Sequence, residues 1–173
     1  VGWWVGRSAG GVVWVGGFGG DDAGEVVVAV LLENGVLLPG GPVTGLAEEF
    51  RSVKRQLLLE AAANDRSRLI MIASAAPDEG KTFCAVNLAL SIATEKEGDV
   101  LLVDADFAKP SVLSRLGLPG GPGLIDALAD PSLTVEALVI GTDIPGLWLL
   151  PAGHATNPES HYLNSHRHPV LRR

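Results

Sequence analysis

"RLIMIASAAPDEGKTF", residues 68–83, decides the fold. An apolar run at 69–72 is followed by small residues, a proline, and then Gly80, Lys81 and Thr82 side by side. A short apolar run bounded by turn residues reads as a buried strand. The residues from Thr82 to about Glu97 read as a helix closed by Gly98. A loop between a buried strand and a helix N-terminus can wrap its backbone N–H groups around phosphate. Ala75-Ala76-Pro77-Asp78-Glu79-Gly80-Lys81-Thr82 has the spacing for this, with alanine where the usual pattern begins with glycine. Gly80 gives close backbone approach, Lys81 reaches the terminal phosphates as a point charge, and Thr82 offers a hydroxyl to Mg²⁺. Phe83 closes the candidate nucleotide-binding stretch. The helix adds the positive end of its dipole. The bland alternative is a strand, a turn and a helix in which Thr82 is only a cap.

A second apolar run, "VLLVDAD", residues 100–106, ends in carboxylates. One residue separates Asp104 from Asp106, so on a strand both side chains lie on the same side. Carboxylates that close a buried run are costly unless a cation or a donor satisfies them. One strand downstream of a phosphate loop, they suit Mg²⁺ or its waters. One of them can also accept the proton of an attacking hydroxyl. The alternative is a helix cap or a solvated turn.

Around these two runs the pattern alternates. "LWLLPAG", residues 147–153, reads as a third strand. Thr44 can cap a helix with Leu46, Phe50, Val53 and Leu57 on one apolar stripe. Glu48, Arg51 and Arg55 fall on its opposite face, with Lys54 flanking. Shorter helices are expected near 111–116, 124–128 and 134–139. Strands alternating with helices predict an α/β domain, a parallel sheet flanked by helices, with the strand at 68–73 central and the Asp104 strand close by. Residues 25–38 form a short apolar element with Gly35 as its stop, and Pro39-Gly40-Gly41-Pro42 is a linker. The expected organisation is a Gly/Val-rich segment and linker over 1–42, a nucleotide-binding domain over 43–153 and a loose polar tail over 154–173. The glycine pairs at 16–17 and 19–20 are followed by no helix pattern, which disfavours a dinucleotide loop there.

The chain has 173 residues, 47% of them hydrophobic, enough for one domain with a core and against wholesale disorder. Its net charge of -7 argues against nucleic-acid binding, which needs a basic face. Cys84 is the one cysteine, so no internal disulfide forms, and a cytoplasmic setting fits. The apolar N-terminus is broken by Arg7 and many glycines, so no transmembrane segment and no signal peptide is expected. The first residue is Val1, which reads as a fragment or a translation of uncertain start.

"APDEGKT" followed by "VLLVDADFAKPS" resembles the bacterial tyrosine kinases of exopolysaccharide synthesis, most of all the autokinase branch associated with exosortase systems. "LAEEFRSVKRQLL", "GLPGGPGLIDALADPS" and "LWLLPAG" are similar to the same family, so the resemblance covers about residues 25–160. It implies a P-loop NTPase of the Walker A/A′ type, with Asp104, Asp106, Lys109 and Pro110 at the Walker A′ positions. It implies ATP and Mg²⁺ as cofactors, with Lys81, Asp104 and Asp106 catalytic and Thr82 and Asp104 on the metal. It implies tyrosines on a neighbouring subunit as substrate. It further implies a membrane polysaccharide co-polymerase partner and a cytoplasmic location, peripheral at the inner membrane. Ring assembly in related kinases uses a Glu-x-x-Arg-x-x-Arg helix. Here that reads Glu48, Arg51, Lys54, and lysine lacks the planar fork of arginine. A solvated face with a Glu48–Arg51 pair is the plain alternative.

Partitioning and cell-division-site ATPases share the loop but carry a second, early lysine. Ala76 stands there here, with Pro77 after it, which favours the kinase branch. A non-catalytic, nucleotide-responsive module of a polysaccharide-export complex is the other competing reading. Two departures from the kinases stand out. No apolar strand ending in aspartate, the Walker B motif, follows Gly153, and Tyr162 is the one tyrosine. A truncated or frame-shifted kinase is therefore expected, with little phosphorylation of Tyr162. His154, His161, His166 and His168 invite a zinc site, but the segment has no scaffold, so chance enrichment is favoured.

Overall fold

The structure, a computed structural model, describes residues 2–7, 13–18, 31, 33–38, 41–63, 69–95 and 99–154, the first two stretches at the backbone alone. It is an α/β arrangement. The strands are β1 (Gly2–Arg7), β2 (Val13–Phe18), β3 (Val100–Val103), β4 (Ile140–Gly141) and β5 (Leu147–Leu150). The α-helices are α1 (Gly45–Ala63), α2 (Lys81–Ala93), α3 (Val112–Arg115) and α4 (Leu124–Ala129), with a 3-10 turn at Glu136–Leu138.

The sheet order is β1-β2-β4-β5-β3. β3 and β5 run parallel, Val100 opposite Leu147 and Val103 opposite Leu150. Parallel neighbours need a long crossover, and here it carries α3, α4 and the 3-10 turn. β2 also meets β4 in parallel, while β1–β2 and β4–β5 are antiparallel, so the sheet is mixed. The apolar runs at 100–103 and 147–150 thus pair as strands, and the expected short helices form at 112–115 and 124–129. The third is reduced to a 3-10 turn.

The main core lies between α2 and the sheet. Val86, Ala89, Leu90 and Ala93 of α2 pack with Leu102, Leu147 and Leu149. A second cluster, Leu124, Ala127, Leu138 and Leu150, sits under α4. The segment upstream of α1 joins the main core through Val36. Asn87 pins it, accepting from Leu37 N–H at 2.7 Å and donating to the carbonyls of Gly35 and Phe83 at 3.0 Å each. Gly35 stops its helical turn as expected, with φ +73° and Val36 N–H donating to the Leu31 carbonyl. Pro39, Gly40 and Gly98, like the residues at 25–30, lie outside the described residues.

Three expectations are corrected. Residues 69–73 form no strand; Leu69 is 89% and Met71 84% exposed. Among the described residues β3 is an edge strand, on the side away from β1, and no ladder reaches 69–73. An apolar run becomes a strand only where a neighbour takes its N–H and C=O groups. Nor is β3 covered on both faces: Leu102 is buried while Leu101 and Val103 are exposed.

The third correction is the inward face of α1. Thr44 caps the helix, its hydroxyl accepting from Ala47 N–H at 3.2 Å. Phe50 and Leu57 turn inward, Phe50 meeting Phe83 at 5.9 Å between ring centres. Leu46 and Val53 are exposed, and Lys54 takes the buried place, its Nζ 2.5 Å from Glu95 Oε1. The stem of a lysine is apolar enough to fill such a position while its ammonium reaches a carboxylate.

Candidate functional site

The loop at 74–80 enters α2 through a left-handed Gly80, φ +94° and ψ +15°. A Cβ there would meet nothing within 4 Å, so glycine is required by the backbone and not by crowding. Asp78 is also left-handed, φ +60°, a conformation that aspartate tolerates. The loop folds on itself. The Ser74 hydroxyl donates to the Ala76 carbonyl at 2.9 Å, and Ala76 N–H donates to Glu79 Oε2 at 3.1 Å. Residues 75–79 are exposed. Cys84 N–H to the Gly80 carbonyl, 2.9 Å, begins the α2 ladder, so the N–H groups of Lys81, Thr82 and Phe83 precede it. An exposed loop with two left-handed residues and free helix-start donors has the chemistry of an anion cradle.

The turn after β3 faces this loop. Asp104 N–H donates to the Leu150 carbonyl at 2.9 Å, which fixes the strand end against β5. The Asp104 side chain is nearly buried at 6% exposure. Its Oδ2 accepts from the backbone N–H groups of Ser111 and Val112, both at 3.0 Å, and its Oδ1 from Asp106 N–H at 3.1 Å. It therefore caps α3, the plainer of the two readings open from sequence. Asp106 accepts from Lys109 N–H at 3.1 Å through Oδ1.

Three contacts cross from loop to turn. Lys81 Nζ lies 3.9 Å from Asp106 Oδ2. Lys109 Nζ lies 2.9 and 3.2 Å from the two oxygens of Asp78. The hydroxyls of Thr82 and Ser111 are 2.7 Å apart. The two ion pairs have opposite polarity, each element giving one cation and one anion. The hydrogen bond and charge of Lys109 hold the Asp78 carboxyl below its ordinary range, and Asp78 raises Lys109 in turn.

The expected residues 75–82, Asp104 and Asp106 are thus gathered at one place, from two elements. Phe83 is not turned to the loop: its ring packs on Phe50 and stands close under Gly35. Ser111 was legible only as a helix start. Its place directly after Lys109-Pro110 was the available signal. A cavity of about 200 Å³ opens beside Asp104, lined by Ser111, Leu113, Leu118, Pro151 and His154 among others. His154 stands near Asp126, Nδ1 to Oδ2 3.9 Å. His161, His166, His168 and Tyr162 lie outside the described residues. Among the described residues no group of three or more His, Cys, Asp or Glu could hold a metal. A metal here would need phosphate oxygens beside the Thr82 hydroxyl and a carboxylate. That hard, oxygen-only set suits Mg²⁺, which is commonly held by one or two carboxylates together with substrate phosphates.

The fold and the loop define an α/β domain of the P-loop kind. In structure the chain is similar to the solved chimerical protein CapA2B2, with TM-score 0.59 and 22% identity over 84% of this chain and 66% of that one, a likeness of fold. No family model matches the sequence. It is 30% identical over 120 residues to the tyrosine-protein kinase ptk of Acinetobacter johnsonii, covering 69% of this chain and 16% of that protein. To the tyrosine-protein kinase YwqD of Bacillus subtilis it is 33% identical over 108 residues, 62% of this chain and 44% of that protein. The succinoglycan biosynthesis transport protein ExoP of Rhizobium meliloti is 34% identical over 119 residues, 67% of this chain and 14% of that protein. Over the aligned region the chain is homologous to bacterial tyrosine-protein kinases. It spans less than half the length of each of these relatives.

Proposed function

We propose that the chain carries the nucleotide half of an ATP-dependent protein-tyrosine kinase that regulates exopolysaccharide synthesis or export. The single observation that carries this reading is the meeting of the 75–82 loop with Asp106 directly and with Asp104 through Ser111, in a chain homologous to tyrosine-protein kinases. In this reading the N–H groups at the start of α2 and Lys81 bind the phosphates. Thr82 and Asp104 are the residues that would hold Mg²⁺, which when bound neutralises charge on the phosphoryl group. Asp106 takes the proton of the incoming tyrosine hydroxyl, whose oxygen bonds to the γ-phosphorus as ADP departs. The cavity beside Asp104 is smaller than the roughly 300–1,000 Å³ of small-molecule pockets. Its lining holds Asp104 but neither Asp106 nor a residue of the 75–82 loop, so this reading puts the nucleotide on the open loop.

The relatives also support a polysaccharide co-polymerase partner, which would bring this domain to the cytoplasmic side of the inner membrane. Among the described residues no helix is long and apolar enough to cross a membrane. Self-association through α1 would use Glu48 and Arg51, which pair with each other on the exposed face, because Lys54 is engaged with Glu95.

The test is Mg-ATP with an acceptor tyrosine peptide, read as phosphotyrosine by mass spectrometry, and ATP affinity by calorimetry. Lys81→Ala is expected to weaken ATP by about 1.5–3 kcal/mol, the worth of a hydrogen bond to a charged group. Unchanged affinity in that variant would make the loop structural only. Free phosphate without phosphotyrosine would favour a partitioning-type ATPase, and binding without turnover a regulatory module.

A further inference from the structure

We propose that Ser111 is a positioning residue for the Mg-nucleotide site, setting the direction of the Thr82 hydroxyl against the Asp104 carboxylate; this rests on the nucleotide reading above. Ser111 touches both residues at once. Its hydroxyl lies 2.7 Å from that of Thr82, and its backbone N–H donates to Asp104 Oδ2 at 3.0 Å. It is itself held firmly, its carbonyl accepting from Ser114 Oγ and from Arg115 N–H, both at 3.0 Å.

A hydroxyl that gives an oxygen lone pair to a cation must send its proton elsewhere. Ser111 Oγ is the acceptor in place for the Thr82 proton, which leaves the Thr82 lone pairs facing the loop. With the Ser111 hydroxyl removed, the Thr82 hydroxyl turns freely and the cation finds it correctly aimed only part of the time. The backbone bond to Asp104 does not need the serine side chain, so α3 keeps its cap in Ser111→Ala.

The experiment measures ADP affinity by calorimetry, with excess Mg²⁺ and with EDTA, for the wild-type chain, Ser111→Ala and Ser111→Thr. Thermal unfolding of each chain without nucleotide is recorded alongside. Ser111→Ala is expected to keep the EDTA affinity within about twofold. It should lose roughly fivefold of the gain that Mg²⁺ gives, as expected for one neutral hydrogen bond. Ser111→Thr, which restores a hydroxyl, should recover most of that gain. An unchanged Mg²⁺ gain in Ser111→Ala overturns the proposal, as does an equal loss with and without Mg²⁺, or an unfolding temperature lowered enough to explain the loss. If the wild-type chain binds no ADP under either condition, the nucleotide reading itself fails, and this proposal with it.

Discussion

Gly123→Ala should destabilise the chain severely, although its neighbours Gly120 and Gly121 tolerate the same change. All three lie in the stretch "LPGGPGL". A Cβ built at Gly120 or Gly121 meets nothing within 4 Å. One at Gly123 stands 2.1 Å from the Pro151 carbonyl oxygen and 2.5 Å from Gly153 N. Those are backbone atoms, so no side chain can swing away. The start of α4 must lift off the segment after β5. That lift strains the bonds from Leu124 N–H to the Pro151 carbonyl, 2.8 Å, and from Ile125 N–H to the Ala152 carbonyl, 2.9 Å. It also disturbs Asp126, whose Oδ2 accepts from Gly123 N–H at 2.7 Å and His154 N–H at 3.1 Å. Overpacking costs about 1–3 kcal/mol, and each weakened bond about 0.5–1.5 kcal/mol. Together that is about 2–6 kcal/mol, a large part of the roughly 5–15 kcal/mol that holds an ordinary domain. In thermal unfolding the drop should be on the order of 10 °C. Gly121→Ala, the control, should stay within about 0.5 kcal/mol. A Gly123→Ala chain that melts within about 2 °C of the control would show that the α4 entrance is not seated on the β5 exit in this way.

Asn87→Ala should destabilise by about 2–4 kcal/mol, measured by urea unfolding. Asn87 is 1% exposed, and its loss strands the Leu37 donor and the Gly35 carbonyl, while the Phe83 carbonyl keeps its bond within α2. A smaller effect than about 1 kcal/mol would mean that the 35–37 segment is not held by this side chain. The Asp78 carboxyl should titrate below its ordinary range when followed by NMR, and Lys109→Ala should return it toward that range. The sign follows from a depressed folded value. The pair's contribution is present above the unfolded value, is lost as pH falls through the lower folded one, and is small because both groups are exposed. Titration of Asp78 unmoved by Lys109→Ala would remove that contact between loop and turn.

Periodicity and turn residues made β3, β5 and the helices legible, because each carries its own local signal. Gly35 announced the stop of its element for the same reason, whereas Gly80 was read only for close backbone approach and its left-handed turn emerges from the fold. What stayed hidden depends on neighbours. The run at 69–72 has the composition of a strand, but pairing needs another strand's edge, and residue type does not report one. Lys54 looked like a flanking surface charge because its head is charged; its burial depends on Glu95, 41 positions away. Gly123 reads as one glycine among several in a loop, and its close packing emerges only once β5 lies beside it. The loop and its carboxylates were legible as a set because the spacing is local to each half, while the Ser111 link between the halves was not.

Asp104 and Asp106 look interchangeable in "VDAD" but are not so in the fold. Asp104 accepts three backbone hydrogen bonds and holds the first turn of α3 in place. Swinging it to a ligand would leave nearly buried N–H groups unpaired, at about 1–3 kcal/mol for each. Asp106 carries one backbone bond and directs its other oxygen toward Lys81 at 3.9 Å, a separation that a small rotation can close or open. Of the two proposed catalytic carboxylates, Asp104 is therefore suited to a fixed role, in which any cation comes to it. Asp106 is suited to the mobile one, releasing Lys81 to phosphate and turning to the incoming hydroxyl. The same turn that Asp104 fixes also carries Lys109 and Ser111. One buried carboxylate thus anchors the turn whose Asp106, Lys109 and Ser111 meet the 75–82 loop.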